Sequence, residues 1–308
     1  MKPSKVFWGI LLISLGILLL IFNFGDIPNY FNFVWYIWPL VFIFWGISLL
    51  NISLLIKQIL AGLSGFIIAL TIIGGLGTGY KFVSDSENSW EEEFSKFDKE
   101  LIKSIGDSLL YYKFDSSFAF TNLFIEGGAG HYRIKDTTNF WIRIISDDFS
   151  ENKLICDSSN KLIKVNLSND YNFVKDRFDH KALIKLNINP IWNIAVNVGA
   201  VLFECDLSEF KVNKLDIQTG ASKIKIRIGN KFDSTHINLS SGLASFNIEI
   251  PNSSGCIIYS ETGLTKEQFE DFIKIDKKTY QTSNFENSDK KIFINISSGL
   301  SSFKIKRY

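Results

Sequence analysis

Hydrophobic positions along this chain follow two regimes. Up to residue 80 they run almost unbroken, and beyond about residue 118 they alternate with polar ones. Between Lys5 and Lys81 the only charged residues are Asp26 and Lys57, which leaves uncharged stretches at 6–22, 34–56 and 59–80. A helix rises about 1.5 Å per residue and bilayer hydrocarbon is about 30 Å thick, so roughly 17–25 apolar residues cross it. The pattern therefore predicts a multi-pass α-helical membrane region over 1–80, with three helices at those boundaries. Lys2 and Lys5 before an apolar run also fit a signal peptide, but the 22–25 stretch offers no small-x-small cleavage site, so a retained span is the reading.

Basic residues near span ends set orientation. Lys2 and Lys5 precede the first span, and Lys57 with Gln58 reads as the tight connection between the second and third. Three spans then place the N-terminus inside and the C-terminal domain outside; a fourth short span between 51 and 80 would reverse that side. Tyr30, Trp35, Tyr36 and Trp38 cluster as an interfacial aromatic belt does. Gly62, Gly65 and Ala69 share a helical face, as do Gly75 and Gly79, and small residues permit close helix packing. That packing is expected among the protein's own helices, with a dimer or partner interface as the alternative. No charge lies inside a span, which argues against an ion path or proton relay.

Residues 81–117 read as an amphipathic juxtamembrane linker. Ser89 and Glu92 form a capping box, and Phe94, Phe97, Leu101 and Ile105 then recur at helical steps, predicting a short helix over 90–104. From 118 to 308 the period changes to two: Ile224, Ile226 and Ile228 alternate with Lys223, Lys225 and Arg227, as strands with one buried face do. A Gly-containing frame recurs at Gly128, Gly199, Gly220, Gly242, Gly263 and Gly299; the middle four are 21, 22 and 21 residues apart. A fixed period of this size marks a solenoid whose rungs bury their faces on one another. Ser240-Ser241-Gly242-Leu243 returns as Ser297-Ser298-Gly299-Leu300. The expectation is an all-β repeat domain, a β-solenoid or two-layer stack, interrupted by a short helix near 266–272 that Thr265 and Gln268 would cap.

Composition adds exclusions. A net charge near +1 and no basic stripe argue against nucleic acid as a partner. Cys156, Cys205 and Cys256 are odd in number and far apart, which favours buried free thiols. His131, His180 and His236 are scattered, with no ligand spacing to Cys, Asp or Glu. The glycine-dense run 127–130 is flanked by strand-like residues and reads as a rung corner, not a phosphate loop. Asp147, Asp148 and Asp233 read as solvated turn residues. The residues therefore assign no catalytic, cofactor-binding or metal site, and the expectation is a protein that is not an enzyme and takes no cofactor.

Trp8-Gly9-Ile10-Leu11-Leu12 with Trp38-Pro39-Leu40 through Gly46-Ile47 resembles the membrane region of LiaI/LiaF-like proteins. Gly199-Ala200, Leu207-Ser208, the run Leu215-Asp216-Ile217-Gln218-Thr219-Gly220-Ala221-Ser222 and the closing Gly299-Leu300 with Phe303-Lys304-Ile305 resemble that family's toast-rack domain. The resemblance implies a bacterial envelope-stress protein, responding to cell-wall antibiotics and modulating a membrane sensor histidine kinase, with no catalytic residues to carry over. Two alternatives stand beside it. One is an extracytoplasmic module binding cell-wall glycan or lipid-linked precursor, on which Tyr132, Trp141 and Trp192 would stack sugars if exposed, core packing being the favoured place for them; the other is a scaffold or homo-oligomer joined edge to edge.

Overall fold

The computed structural model describes residues 2–21, 37–50, 52–84, 109–113, 119–146, 153–157, 159–167 and 180–308. They fall into two units, Met1–Phe82 and Val83–Tyr308. The expected linker helix at 90–104, the belt residues Tyr30, Trp35 and Tyr36, and Asp147 and Asp148 lie outside the described residues.

The first unit holds helices α1 (Pro3–Ile21), α2 (Leu40–Leu49) and α3 (Leu54–Ser84). The multi-pass expectation is overturned. Among the described residues, one helical stretch, Leu54–Gly74, is long and apolar enough to cross a membrane, while the apolar part of α1, Pro3–Leu18, falls short and α2 has ten residues. The stretch expected at 34–56 divides because Leu50 leaves the helix with φ −70 and ψ 162 and Ser53 Oγ accepts from the Ile56 N–H at 3.4 Å at the start of α3. Lys57, expected in a connection, donates its backbone N–H to Ser53 O as part of α3. A single lysine near a helix start is tolerated because its stem lies along apolar surface while the ammonium reaches water, so charge alone is a poor marker of breaks.

The small-residue face of α3 is occupied by α1. A Cβ on Gly65 would lie 2.7 Å from Phe7 O, and one on Gly62 would lie 2.7 Å from Ile10 Cδ1. Ala69 and Ile73 are buried beside them. Glycine here brings one helix backbone onto another, as close packing in lipid requires.

The second unit is a 14-stranded sheet bent into two layers. Strands β1 (Leu109–Lys113), β2 (Phe120–Gly127), β3 (Gly130–Thr137), β4 (Phe140–Ser146), β5 (Lys153–Asp157), β6 (Leu162–Leu167) and β7 (Lys181–Leu186) are short. Strands β8 (Ile191–Leu207), β9 (Lys211–Ile228), β10 (Ser234–Ile250), β11 (Gly255–Phe269) and β14 (Lys291–Arg307) are long, and β12 (Phe272–Lys274) and β13 (Thr279–Thr282) form a hairpin. Each long strand turns its corner at glycine, and the buried parity flips there. In β9, Leu215 and Ile217 point inward before Gly220, and Ile224 and Ile226 do so after it. The first halves, continued by β2, β6 and β5, make one layer; the second halves, continued by β3, β7, β4 and β1, make the other. The inward residues of both layers form one core.

Parallel, in-register pairing stacks like on like. Phe246 and Phe303 are neighbours in register, with rings stacked 4.7 Å apart and their planes nearly parallel. The glycines stack as well: a Cβ on Gly242 would lie 3.0 Å from Gly220 O, and one on Gly299 would lie 2.8 Å from Gly242 O. Corners can follow one another at strand spacing, about 4.8 Å, only where side chains are missing.

Three expectations change here. Rungs do not stack in sequence order, because β14 inserts between β10 and β11. The two Ser-Ser-Gly-Leu copies thereby become direct partners, with Ser241 Oγ and Ser298 Oγ 2.8 Å apart. The helix expected at 266–272 is instead the end of β11, a turn and the start of β12. Thr265 and Gln268 pair with Ser301 and Lys304 of β14, so ladder bonds take the place of a capping box. Finally, residues 109–113, expected in the linker, are strand β1, paired to β4.

Candidate functional site

The three large aromatics follow the favoured core reading and not the stacking one. Tyr132, Trp141 and Trp192 are 0% exposed and sit in the core. The Trp141 Nε1–H donates to Thr121 Oγ1 at 3.0 Å, and the Trp192 Nε1–H donates to Asn187 O at 2.9 Å. Each buried indole therefore has its polar atom satisfied, as burial demands. Glycan stacking on these three residues is ruled out by their position.

The polar residues singled out from the sequence are not brought together. His180 is buried edge-on to Tyr132, while His236 stacks on Phe293 with centroids 4.8 Å apart. Asp233 pairs with Lys290. Among the described residues no group of three or more His, Cys, Asp or Glu could hold a metal. The 127–130 run is the bend from β2 into β3. A Cβ on Gly130 there would lie 2.7 Å from His180 O, so a rung corner is what the glycines serve.

The three cysteines are free thiols. Burial pushes Cys156 up to about 11, and burial raises Cys205 and Cys256 well above the ordinary thiol range. Since the thiolate is the reactive form, neither Cys205 nor Cys256 is expected to be alkylated at pH 8 until the protein is unfolded. Mass spectrometry after labelling checks this, and label on native Cys205 or Cys256 would contradict the packing described.

The surface that is organised is the outer face of the first layer. Asn193 Nδ2 donates to Asn122 Oδ1, Asn213 Nδ2 to Asn193 Oδ1, Asn238 Nδ2 to Asp216 Oδ1, and Asn295 Nδ2 to Asn238 Oδ1, all at 2.6–2.9 Å. Nearer the glycine corners, Asn197, Gln218, Ser240 and Ser297 form a second row across β8, β9, β10 and β14. Tyr259 and Glu261 of β11 close both rows at one end, in register with Asn295 and Ser297. Alternation marks these residues as outward-facing, but which of them are neighbours depends on the insertion of β14, which no local pattern announces.

At that end the core is closed by a carboxylate. Glu267 occupies the inward column that holds Phe203, Ile224, Phe246 and Phe303 in the preceding rungs. It accepts hydrogen bonds from Ser260 and, at 2.9 Å, from Tyr280 Oη. An inward-pointing charge on a terminal strand discourages edge pairing, as does the β12–β13 hairpin laid along β11.

Comparison with known proteins adds two regions in chain order. Residues 6–50 match the LiaI-LiaF-like transmembrane region, and residues 119–249 match the N-terminal domain of toast_rack, DUF2154. Both regions match the LiaF-like family. The chain is membrane-associated and of an interaction or regulatory kind. The crystal structure of a "putative cell adhesion protein" from Clostridium sporogenes ATCC 15579 is similar in fold. It shows 19% identity and a TM-score of 0.58 over 65% of this chain and 98% of its own. No curated protein matches the LiaF-like chain.

Proposed function

We propose that this LiaF-like chain acts without catalysis of its own, as a membrane-anchored regulator that modulates a bacterial envelope-stress response through a membrane sensor kinase. The observation that carries the reading is the union in one chain of a LiaI-LiaF-like transmembrane region and a toast-rack domain. The helical unit supplies a surface for such a partner: α1 turns one side onto α3 and leaves Trp8, Leu12 and Ile13 exposed. Apolar residues on that side suit contact with lipid or another membrane helix.

A photo-crosslinker placed at Leu12 in living cells is expected to capture a histidine kinase, and co-reconstitution with the captured kinase to change its autophosphorylation rate. Capture of no kinase under cell-wall stress, or an unchanged rate for a kinase that is captured, would remove the reading.

The side of the membrane is part of the proposal. Lys2, Lys5 and Lys57 stand at or before the start of the Leu54–Gly74 stretch and only Lys81 lies shortly after it, which favours an outward toast-rack domain. Ser283 is exposed in that domain. Ser283→Cys in a Cys156→Ser background is expected to take a membrane-impermeant thiol reagent in intact cells, with the buried Cys205 and Cys256 silent. Label appearing only after lysis would place the domain in the cytoplasm.

A further inference from the structure

The first-layer outer face is hollowed into a groove of about 500 Å³ walled by Asp216, Gln218, Asn238, Asn295, Tyr259 and Glu261. Through Gln218 and Ser240 it runs on into a second hollow of about 470 Å³ that reaches Asn197. We propose that this groove binds an uncharged oligosaccharide chain.

The first argument is hydrogen-bonding capacity. Among the described residues Asn197, Gln218, Ser240 and Ser297 have exposed side chains with no side-chain partner, and they lie side by side on four adjacent strands. Amides and hydroxyls both donate and accept, which matches the rim of sugar hydroxyls. The amide ladder beside them runs in one direction and ends at Asn295, whose Oδ1 receives no donor among the described residues.

The second is charge. Each carboxylate of the groove has its own lysine: Lys214 lies 2.6 Å from Asp216 and Lys278 lies 2.5 Å from Glu261. Paired charges of this kind leave no net field to hold a polyanion or a polycation, whose binding rests on that field.

The third is the ring. Tyr259 is 43% exposed, and Lys278 Nζ, held by Glu261, lies 5.7 Å from its centroid. The ring is thus supported from one side while it walls the groove, an apolar plate with a polar tip suited to the C–H face of a pyranose. In the same register row, on β2, Phe124 is 42% exposed. Five strand spacings, about 24 Å, separate the two rings, enough for several sugar units in line.

The test uses the full-length protein in detergent micelles, titrated calorimetrically with chitopentaose and with maltopentaose. At least one is expected to bind, with little dependence on salt. Tyr259→Ala is expected to weaken that binding by about tenfold or more without moving the melting temperature, while Tyr259→Phe retains it. The double variant Gln218→Ala/Asn295→Ala is expected to weaken it likewise. Binding of neither sugar, or an unchanged affinity in Tyr259→Ala, overturns the proposal. So does preference for an anionic polysaccharide with steep salt dependence, or for an uncharged extended peptide. The groove goes beyond the kinase reading: sugar binding with no kinase captured would keep the groove and remove the regulator.

Discussion

Trp192→Ala is expected to destabilise the β unit by about 3–5 kcal/mol and to lower its melting temperature by about 10 °C or more, followed by near-ultraviolet circular dichroism. The side chain is fully buried, so truncation leaves a cavity in the core, between β2 and β9, whose Thr121 and Val212 flank it in register. It also removes the donor to Asn187 O. That residue organises the turn before β8: its Nδ2 donates to Thr138 O and Phe140 O, its Oδ1 accepts from the Asn189 N–H, and its own N–H reaches Trp141 O. The two core tryptophans are therefore coupled through one asparagine, and Trp141→Ala is expected to act on the same element. An unchanged melting temperature in Trp192→Ala would mean that the indole is outside the core, and the whole assignment of inner and outer faces would fail with it.

Much of this β architecture was legible in the residues. Alternation at Ile224, Ile226 and Ile228 names the inward positions correctly, the glycine spacing gives the rung length, and the two Ser-Ser-Gly-Leu copies point to repeated corners. Alternation cannot say which rung lies beside which, because every long strand carries the same pattern and would stack on any other. The insertion of β14 beside β10 is settled by side chains meeting across 57 residues, Ser241 with Ser298 and Asn238 with Asn295. For the same reason the groove was not legible: its two rows exist only once β14 is in place. Core packing was the favoured place for the three large aromatics, and stacking on sugar stayed open beside it because a large ring in a strand is compatible with either face until the strand's parity is known.

In the membrane unit the error has a different origin. Counting uncharged residues treats Lys57 as a boundary and Ser53 as neutral, whereas the helix does the reverse. A lysine can extend along apolar surface, while a serine hydroxyl at a helix start offers an acceptor to the free N–H groups of the first turn. The packing of Gly62 and Gly65 was legible, since spacing alone puts them on one face. What the spacing could not show was that the facing backbone is that of Phe7 to Leu11.

Gly229→Ala is expected to be as damaging as any single methyl added to this protein. An added Cβ would lie 2.0 Å from Ser208 O and 2.8 Å from Ser208 C. Gly229 opens the turn after β9 and Ser208 opens the turn after β8, so the two turns stack at strand spacing as the rungs do. Ser208 cannot give way easily. Its N–H and its hydroxyl both donate to Asp206 Oδ1, at 3.1 and 2.7 Å, and the Phe210 N–H closes the turn on Leu207 O. Overpacking against well-ordered atoms costs about 1–3 kcal/mol, occasionally more, and here the contact is with backbone. The expected result is a loss of about 3 kcal/mol or more in urea unfolding of the full-length protein. Gly128→Ala serves as the control, because nothing lies within 4 Å of its added Cβ, and it should unfold as the parent does. If the rungs respond by sliding, Asp216 and Asn238 lose their pairing as well, so that the same substitution should weaken sugar binding at the groove on the opposite layer from the clash. Equal stability of the two variants would show that the turns are not stacked as described, and with that the close parallel stacking of β8 on β9 would have to be given up.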